Sequence, residues 1–228
     1  MHLFLFLQEN RNMKNKMFFY LSLVVVGITS SCQAQLSSGS ENKIENQFDQ
    51  VFSDFWYQGK AEVSSYKLTQ ARYGELRNGN AVLVFVTEDF LIDKQVKLEQ
   101  QTEEPATSVL KLNFIRKFNT GIYDYSMMTS TFSPVIQDQE VFPLKSTTSS
   151  QEWCGHSWLQ LNKDNQEYRV QSFSYFQSEA DTEERMEKVM LEDGIWNQLR
   201  LNPEAISEGE HQIFPSAHYL RFSHRDLK

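Results

Sequence analysis

Two cysteines, Cys32 and Cys154, are the whole thiol content of this chain, so a small disulfide-stapled scaffold is excluded and stability has to come from a buried core. Five prolines and nine glycines among 228 residues exclude collagen-like and Pro/Gly-rich disordered classes. No apolar run reaches the roughly 18–20 residues of a membrane-spanning helix. There is no phosphate-binding loop and no G-x-G-x-x-G. The acidic stretches at 99–104 and 179–187 lack calcium-loop spacing and read as solvated faces. Positive charge is also scarce. Lys and Arg total 22 against 30 Asp and Glu, a formal net charge of −8, which argues against nucleic acid and anionic lipid surfaces as partners.

What is present begins with an address. In MKNKMFFYLSLVVVGITSSC, residues 13–32, Lys14 and Lys16 precede an apolar stretch at 17–28 and a small-residue stretch that ends at Cys32. That is the plan of a bacterial export signal, with translation starting at Met13. A cysteine in this place is the pattern of a lipobox, although Thr29 stands where leucine is usual, and predicts lipidation of Cys32. The other reading takes Cys32-Gln33-Ala34 as an ordinary cleavage site that releases a soluble protein. Removing residues 1–32 takes away Arg11, Lys14, Lys16 and Glu9 and moves the charge from −8 to about −10. The polar residues 33–43 read as a flexible tether, and 44–228 as one domain of ordinary size.

Apolar spacing at 44–56 predicts a short amphipathic helix. Extended runs at 60–76 and 81–90 flank Asn78-Gly79, a favoured type I′ pair, and predict a β-hairpin turning there. In AVLVFV both alternating faces are apolar, which predicts a central strand covered on two sides. A short strand at 96–98, a second hairpin from 109–118 and 122–132 turning at 119–121, and strands at 144–149, 152–162 and 167–177 complete a meander. Residues 183–201 show helical spacing ahead of Pro203. The expected fold is α+β and β-rich: a long curved antiparallel meander or partial barrel, with a helix near each end.

Chemistry concentrates in TTSSQEWCGHSW, residues 147–158. On one continuous strand Glu152, Cys154 and His156 would share a face. A cysteine nucleophile needs a base within hydrogen-bond reach and a group to orient it, and zinc needs three or four ligands. The other histidines of the mature chain, His211, His218 and His224, fall in a loop-rich tail. Gly155-His156-Ser157 lacks the closing glycine of a nucleophile elbow, since Leu159 stands there. Cys154, beside Trp153 and in a strand with Trp158 and Leu159, reads instead as a small core side chain, and its replacement by alanine as a packing loss. No metal or cofactor is therefore expected. Aromatic residues crowd the expected strands. Tyr123, Tyr125, Met127 and Trp158 are the candidates to line a pocket, although aromatics in strands also simply fill cores.

Four stretches, 56–90, 109–135, 149–162 and 191–203, together resemble a family of flavobacterial, Bacteroidetes-type lipoproteins often labelled septum formation inhibitor Maf. The chain lacks the Ser-rich, Arg-containing motif of true Maf nucleotide pyrophosphatases, so nucleotide hydrolysis is not implied. The resemblance implies an envelope lipoprotein, and family members continue with further strand-like sequence beyond the position of Lys228. The functional expectation is a membrane-anchored, non-enzymatic envelope protein, held by the lipid on Cys32, that binds an apolar ligand or an envelope protein. An envelope hydrolase or metalloenzyme using Cys154 and His156, or a purely structural envelope component, are the alternatives.

Overall fold

The computed structural model of the chain describes residues 50–136 and 142–224. The expected signal, Cys32 and the tether lie outside these residues, as does the first half of the expected helix at 44–56. Its second half is α1 (Gln50–Trp56), which buries Trp56.

Nine strands follow: β1 (Glu62–Arg72), β2 (Glu75–Leu91), β3 (Val96–Lys97), β4 (Ala106–Thr120), β5 (Tyr123–Pro134), β6 (Lys145–Glu152), β7 (Gly155–Asp164), β8 (Glu167–Ser174) and β9 (Thr182–Glu187). They form one antiparallel sheet in the order β1-β2-β4-β5-β6-β7-β8-β9, with β3 on the remaining length of β2 beyond β1. A short parallel pair, β10 (Met190–Leu191) and β11 (Ile213–Phe214), accompanies helices α2 (Ile195–Leu201) and α3 (Ala217–Ser223). This is the expected β-rich α+β fold, a meander with helices before and after it.

The first hairpin turns five residues earlier than Asn78-Gly79 predicts. Arg72 pairs with Glu75, and Tyr73 (φ 55°) with Gly74 (φ 74°) makes the two-residue turn, both residues in the left-handed region that a type I′ turn requires. Tyrosine is disfavoured there, but its side chain is held: the hydroxyl lies 2.9 Å from the Tyr125 hydroxyl and the Arg72 guanidinium sits 4.2 Å over the ring. Gly79 lies instead within β2, where a Cβ would stand 2.2 Å from the Lys117 carbonyl oxygen on β4.

The helix expected at 183–201 is the second correction. Residues 182–187 alternate across the sheet as β9, with Arg185 outside, bonded to Asp164 and Glu167, while Met186 packs inward on Leu161, Tyr168 and Val170. Pairing with β8 overrides the local helical pattern, and the helix is confined to α2.

The three α-helices among the described residues pack on one face of the sheet. Leu83, Phe85, Leu110, Leu112 and Phe114 form one core with Trp56 of α1, and Leu201 of α2 packs against it. Leu161, Tyr168, Val170 and Leu191 form a second. Between them β5 and β6 present Thr129, Thr131, Ser133, Ser146, Thr148 and Ser150, all buried. Asn197 of α2 spans this polar strip, its Nδ2 donating to the carbonyls of Leu110 (2.7 Å) and Thr131 (3.3 Å) and to Ser133 Oγ (3.1 Å).

On the other face no described helix covers AVLVFV, and Val82, Val84 and Val86 stay half-buried rather than enclosed. Cover is local, at the β3 end, where the Phe90 and Phe132 rings stack at 5.0 Å and Gln95 bonds Asn162 and the Lys163 carbonyl.

The sheet must curl. Laid flat, the eight strands of the main path would span roughly 33 Å, whereas α3 is about 10 Å long. Yet His218 and Phe222 of α3 bond Gln70 and Arg72 on β1 (2.8 and 3.3 Å), and the other flank of α3 shares a cavity with Thr182 and Glu184 on β9. The result is an open partial barrel closed over by helices, with α3 inside the curve.

Candidate binding pocket

The tail that reads as loop-rich folds into α3 because carboxylates and a hydroxyl satisfy its first turn. Glu192 accepts the Ser216 N–H (2.8 Å), Asp193 Oδ2 accepts the Ala217 N–H (2.9 Å), and Ser216 Oγ accepts the Tyr219 N–H (3.4 Å). His224 closes the helix in the left-handed region at φ 50°. So seated, α3 turns Ala217, His218, Arg221 and Phe222 toward the sheet.

Arg221 is the anchor. Its side chain is 5% exposed; Nη2 donates to Glu152, Nη1 donates to Glu179 (3.1 Å), and the guanidinium lies 4.2 Å over the Phe176 ring. Glu179 also meets His224 Nδ1 at 2.9 Å. Beside this network opens a cavity of about 290 Å³ between α3 and strands β6–β9. Hydroxyls dominate its wall: Thr148, Ser150, Ser157, Ser172, Ser178 and Thr182, joined by Glu179 and Glu184. Leu159, Ala217 and Leu220 supply the main apolar surface. Two buried polar atoms of its lining residues, Arg221 Nε and Ser150 Oγ, have no hydrogen-bond partner. Buried donors are rarely left so, and these two belong to side chains that border an open space.

Around α3, burial sets the protonation states. His218 donates from Nε2 to Gln70 Oε1 and places Nδ1 3.1 Å from Met127 Sδ. Burial, then the Arg116 and Arg72 charges, lower its pKa from 6.5 to about 3. Burial raises the Asp193 carboxyl to about 6, against the Ala217 N–H and the Arg116 charge. The Tyr125 phenol is pushed up by burial first and then by Glu152 and Tyr73. Between pH 6.5 and 3 the unfolded chain carries a protonated His218 that the fold excludes, so this residue makes stability fall as pH drops. Asp193 acts the opposite way between about 6 and 3.8, over the smaller shift. The expected outcome is a net loss of denaturation midpoint from pH 7 to 4 that is reduced in His218→Gln; an unchanged pH profile in the variant would assign the acid sensitivity elsewhere.

The pocket is not where the sequence points. Glu152, Cys154 and His156 do not share a strand: Glu152 ends β6, Trp153-Cys154 is a two-residue turn, and Gly155 opens β7 opposite Glu152. Glu152 faces α3 and is buried, while His156 pairs with Gln151 on the outer face and is exposed. The Cys154 thiol is free and exposed at the turn, which also corrects its reading as a core side chain. Cys154→Ala therefore leaves the melting temperature unchanged, within about 0.5 kcal/mol of stability, and the native thiol reacts readily with a thiol reagent. A buried-cysteine loss of several degrees would contradict this.

Of the four pocket candidates, only Trp158 is among the residues around the cavity, and its register beside Ser149 and Phe173 puts its ring on the outer face with His156. Tyr125 stacks on Phe118 at 4.7 Å and Met127 is buried under His218, both as filling beneath α3. Tyr123 is exposed against the Trp153 ring. The residues that were missed are the hydroxyls of β6–β9 and Arg221. Their sequence signal is serine and threonine at inward alternating positions, as in Ser146, Thr148 and Ser150, where a core strand would carry aliphatics. Among the described residues, no group of three or more His, Cys, Asp or Glu side chains is placed to hold a metal ion. No described helix is long and apolar enough to cross a membrane. Compared with models of known protein families, with curated proteins and with solved structures, the chain finds no match in any of the three.

Proposed function

We propose that this chain is an exported envelope protein, anchored by a lipid on Cys32, whose folded part is a non-enzymatic binding module that takes a small ligand into the cavity beside α3. The observation that carries the binding reading is the cavity itself, about 290 Å³ with two partnerless buried polar atoms on its lining side chains. Pockets of roughly 300–1,000 Å³ hold small molecules. The lining favours a polar ligand over an apolar one, because an apolar occupant would leave its carboxylates and hydroxyls desolvated and unpaired.

The signal at residues 13–32, its terminal cysteine and the resemblance to flavobacterial lipoproteins support the address. Replacement of Cys32 by alanine moves the protein from the membrane to the soluble fraction on cell fractionation; retention in the membrane would overturn the lipid anchor. A hydrolase using Cys154 and His156 gains no support from a geometry that places one at a turn and the other on the outer face, away from Glu152.

A further inference from the structure

We infer that the ligand of the α3 cavity is a neutral polyhydroxylated molecule of monosaccharide size; this rests on the reading of that cavity as a binding site. The wall and the layer directly behind it offer three kinds of group at once. Glu184 is a half-buried carboxylate outside the Arg221 network and can only accept hydrogen bonds when ionised. Arg221 Nε is a buried donor without an acceptor. The serine and threonine hydroxyls, Ser150 Oγ among them, do both.

A ligand that satisfies all three must donate and accept from many neighbouring points, which is what vicinal hydroxyls do. Charge narrows the class further. The one guanidinium is already committed to Glu152 and Glu179, so carboxylates outnumber cations here and an anionic group would be repelled. The absence of a metal-ligand cluster among the described residues sets a bare divalent cation aside. The size of the cavity, at the small end of the range for ligand sites, fits one ring rather than a chain of them.

The test titrates the full-length protein with a panel of neutral hexoses and hexitols, a hexosamine and a hexuronate, followed by calorimetry and thermal shift. At least one neutral member is expected to bind and raise the melting temperature, while the hexuronate of the same stereochemistry binds at least about tenfold more weakly. Ser150→Ala, which removes a partnerless buried hydroxyl and keeps the fold, is expected to weaken binding severalfold. Ser172→Tyr, which fills the cavity from β8, is expected to abolish it.

Tighter binding of the hexuronate, or of the hexosamine alone, would overturn the neutral class while leaving the pocket in place. So would silence of the whole panel when native mass spectrometry shows some other small molecule on the wild type and none on Ser172→Tyr. Silence of the panel with bare chain masses for both proteins would overturn the pocket and this inference with it.

Discussion

Replacing Arg221 with methionine lowers the stability of the folded protein by about 3–5 kcal/mol, the range for removing one partner of a buried ion pair. The guanidinium and the Glu152 carboxylate are both almost wholly enclosed, at 5% and 4% exposure. Without Arg221 the Glu152 charge has no cationic partner in the site, and Glu179 keeps the Ser174 hydroxyl at 2.7 Å and, as its one possible cation there, His224, which neutralises it only when protonated. The double variant Arg221→Met, Glu152→Met recovers most of the loss, since well-packed apolar side chains often replace a buried pair at little net cost. Chemical denaturation of the two singles and the double, closed as a cycle, checks this. Additive effects would show that the two groups do not act as a pair and that α3 is held by other contacts. Because Arg221 is also a wall of the cavity, the same single variant abolishes ligand uptake, and the double variant recovers stability without recovering binding.

Replacing Gly79 with valine is expected to destabilise by about 3 kcal/mol, at the upper end of overpacking effects. A Cβ there meets the Lys117 carbonyl oxygen at 2.2 Å and Phe118 Cβ at 2.7 Å, and both belong to the neighbouring strand, so no flexible side chain can swing aside. The strands of β2 and β4 would have to separate where Phe118 stacks on Tyr125 beneath α3. Gly74→Ala is the informative comparison. It has open space around it but a φ of 74°, so its loss of about 1–2 kcal/mol comes from the left-handed backbone alone. If Gly79→Val were tolerated as well as Gly74→Ala, glycine at 79 would not be a packing requirement and the hairpin would be free to turn at Asn78-Gly79.

These two positions also show what a sequence conveys about such a fold. Alternation at 109–118 located β4 to within a few residues, since one face of that strand is core and the period is unambiguous. The Asn78-Gly79 pair misled because turn propensity is local, whereas the position of the turn is set by a tyrosine whose hydroxyl reaches Tyr125 fifty-two residues away. Likewise 183–201 carries helical spacing, but β8 offers a free edge and residues 182–187 pair with it. The pocket was less legible still. Its wall is built from hydroxyls scattered over four strands and a loop and from Arg221 in a seven-residue helix whose first turn is capped by Glu192 and Asp193, some two dozen residues upstream. No contiguous motif exists for such a site to leave. Conversely, Glu152, Cys154 and His156 are adjacent in sequence, yet a two-residue turn sends them to different places.

The most direct test of the account is the mass of the native protein. The full chain, purified from the envelope of a bacterium that produces it, is weighed intact by native mass spectrometry and again after denaturation, beside the Ser172→Tyr variant. The wild type is expected to carry a small-molecule mass that is released on denaturation and is absent from the variant. The same added mass on both proteins, or none on either, would contradict the assignment of the cavity beside α3 as a ligand site.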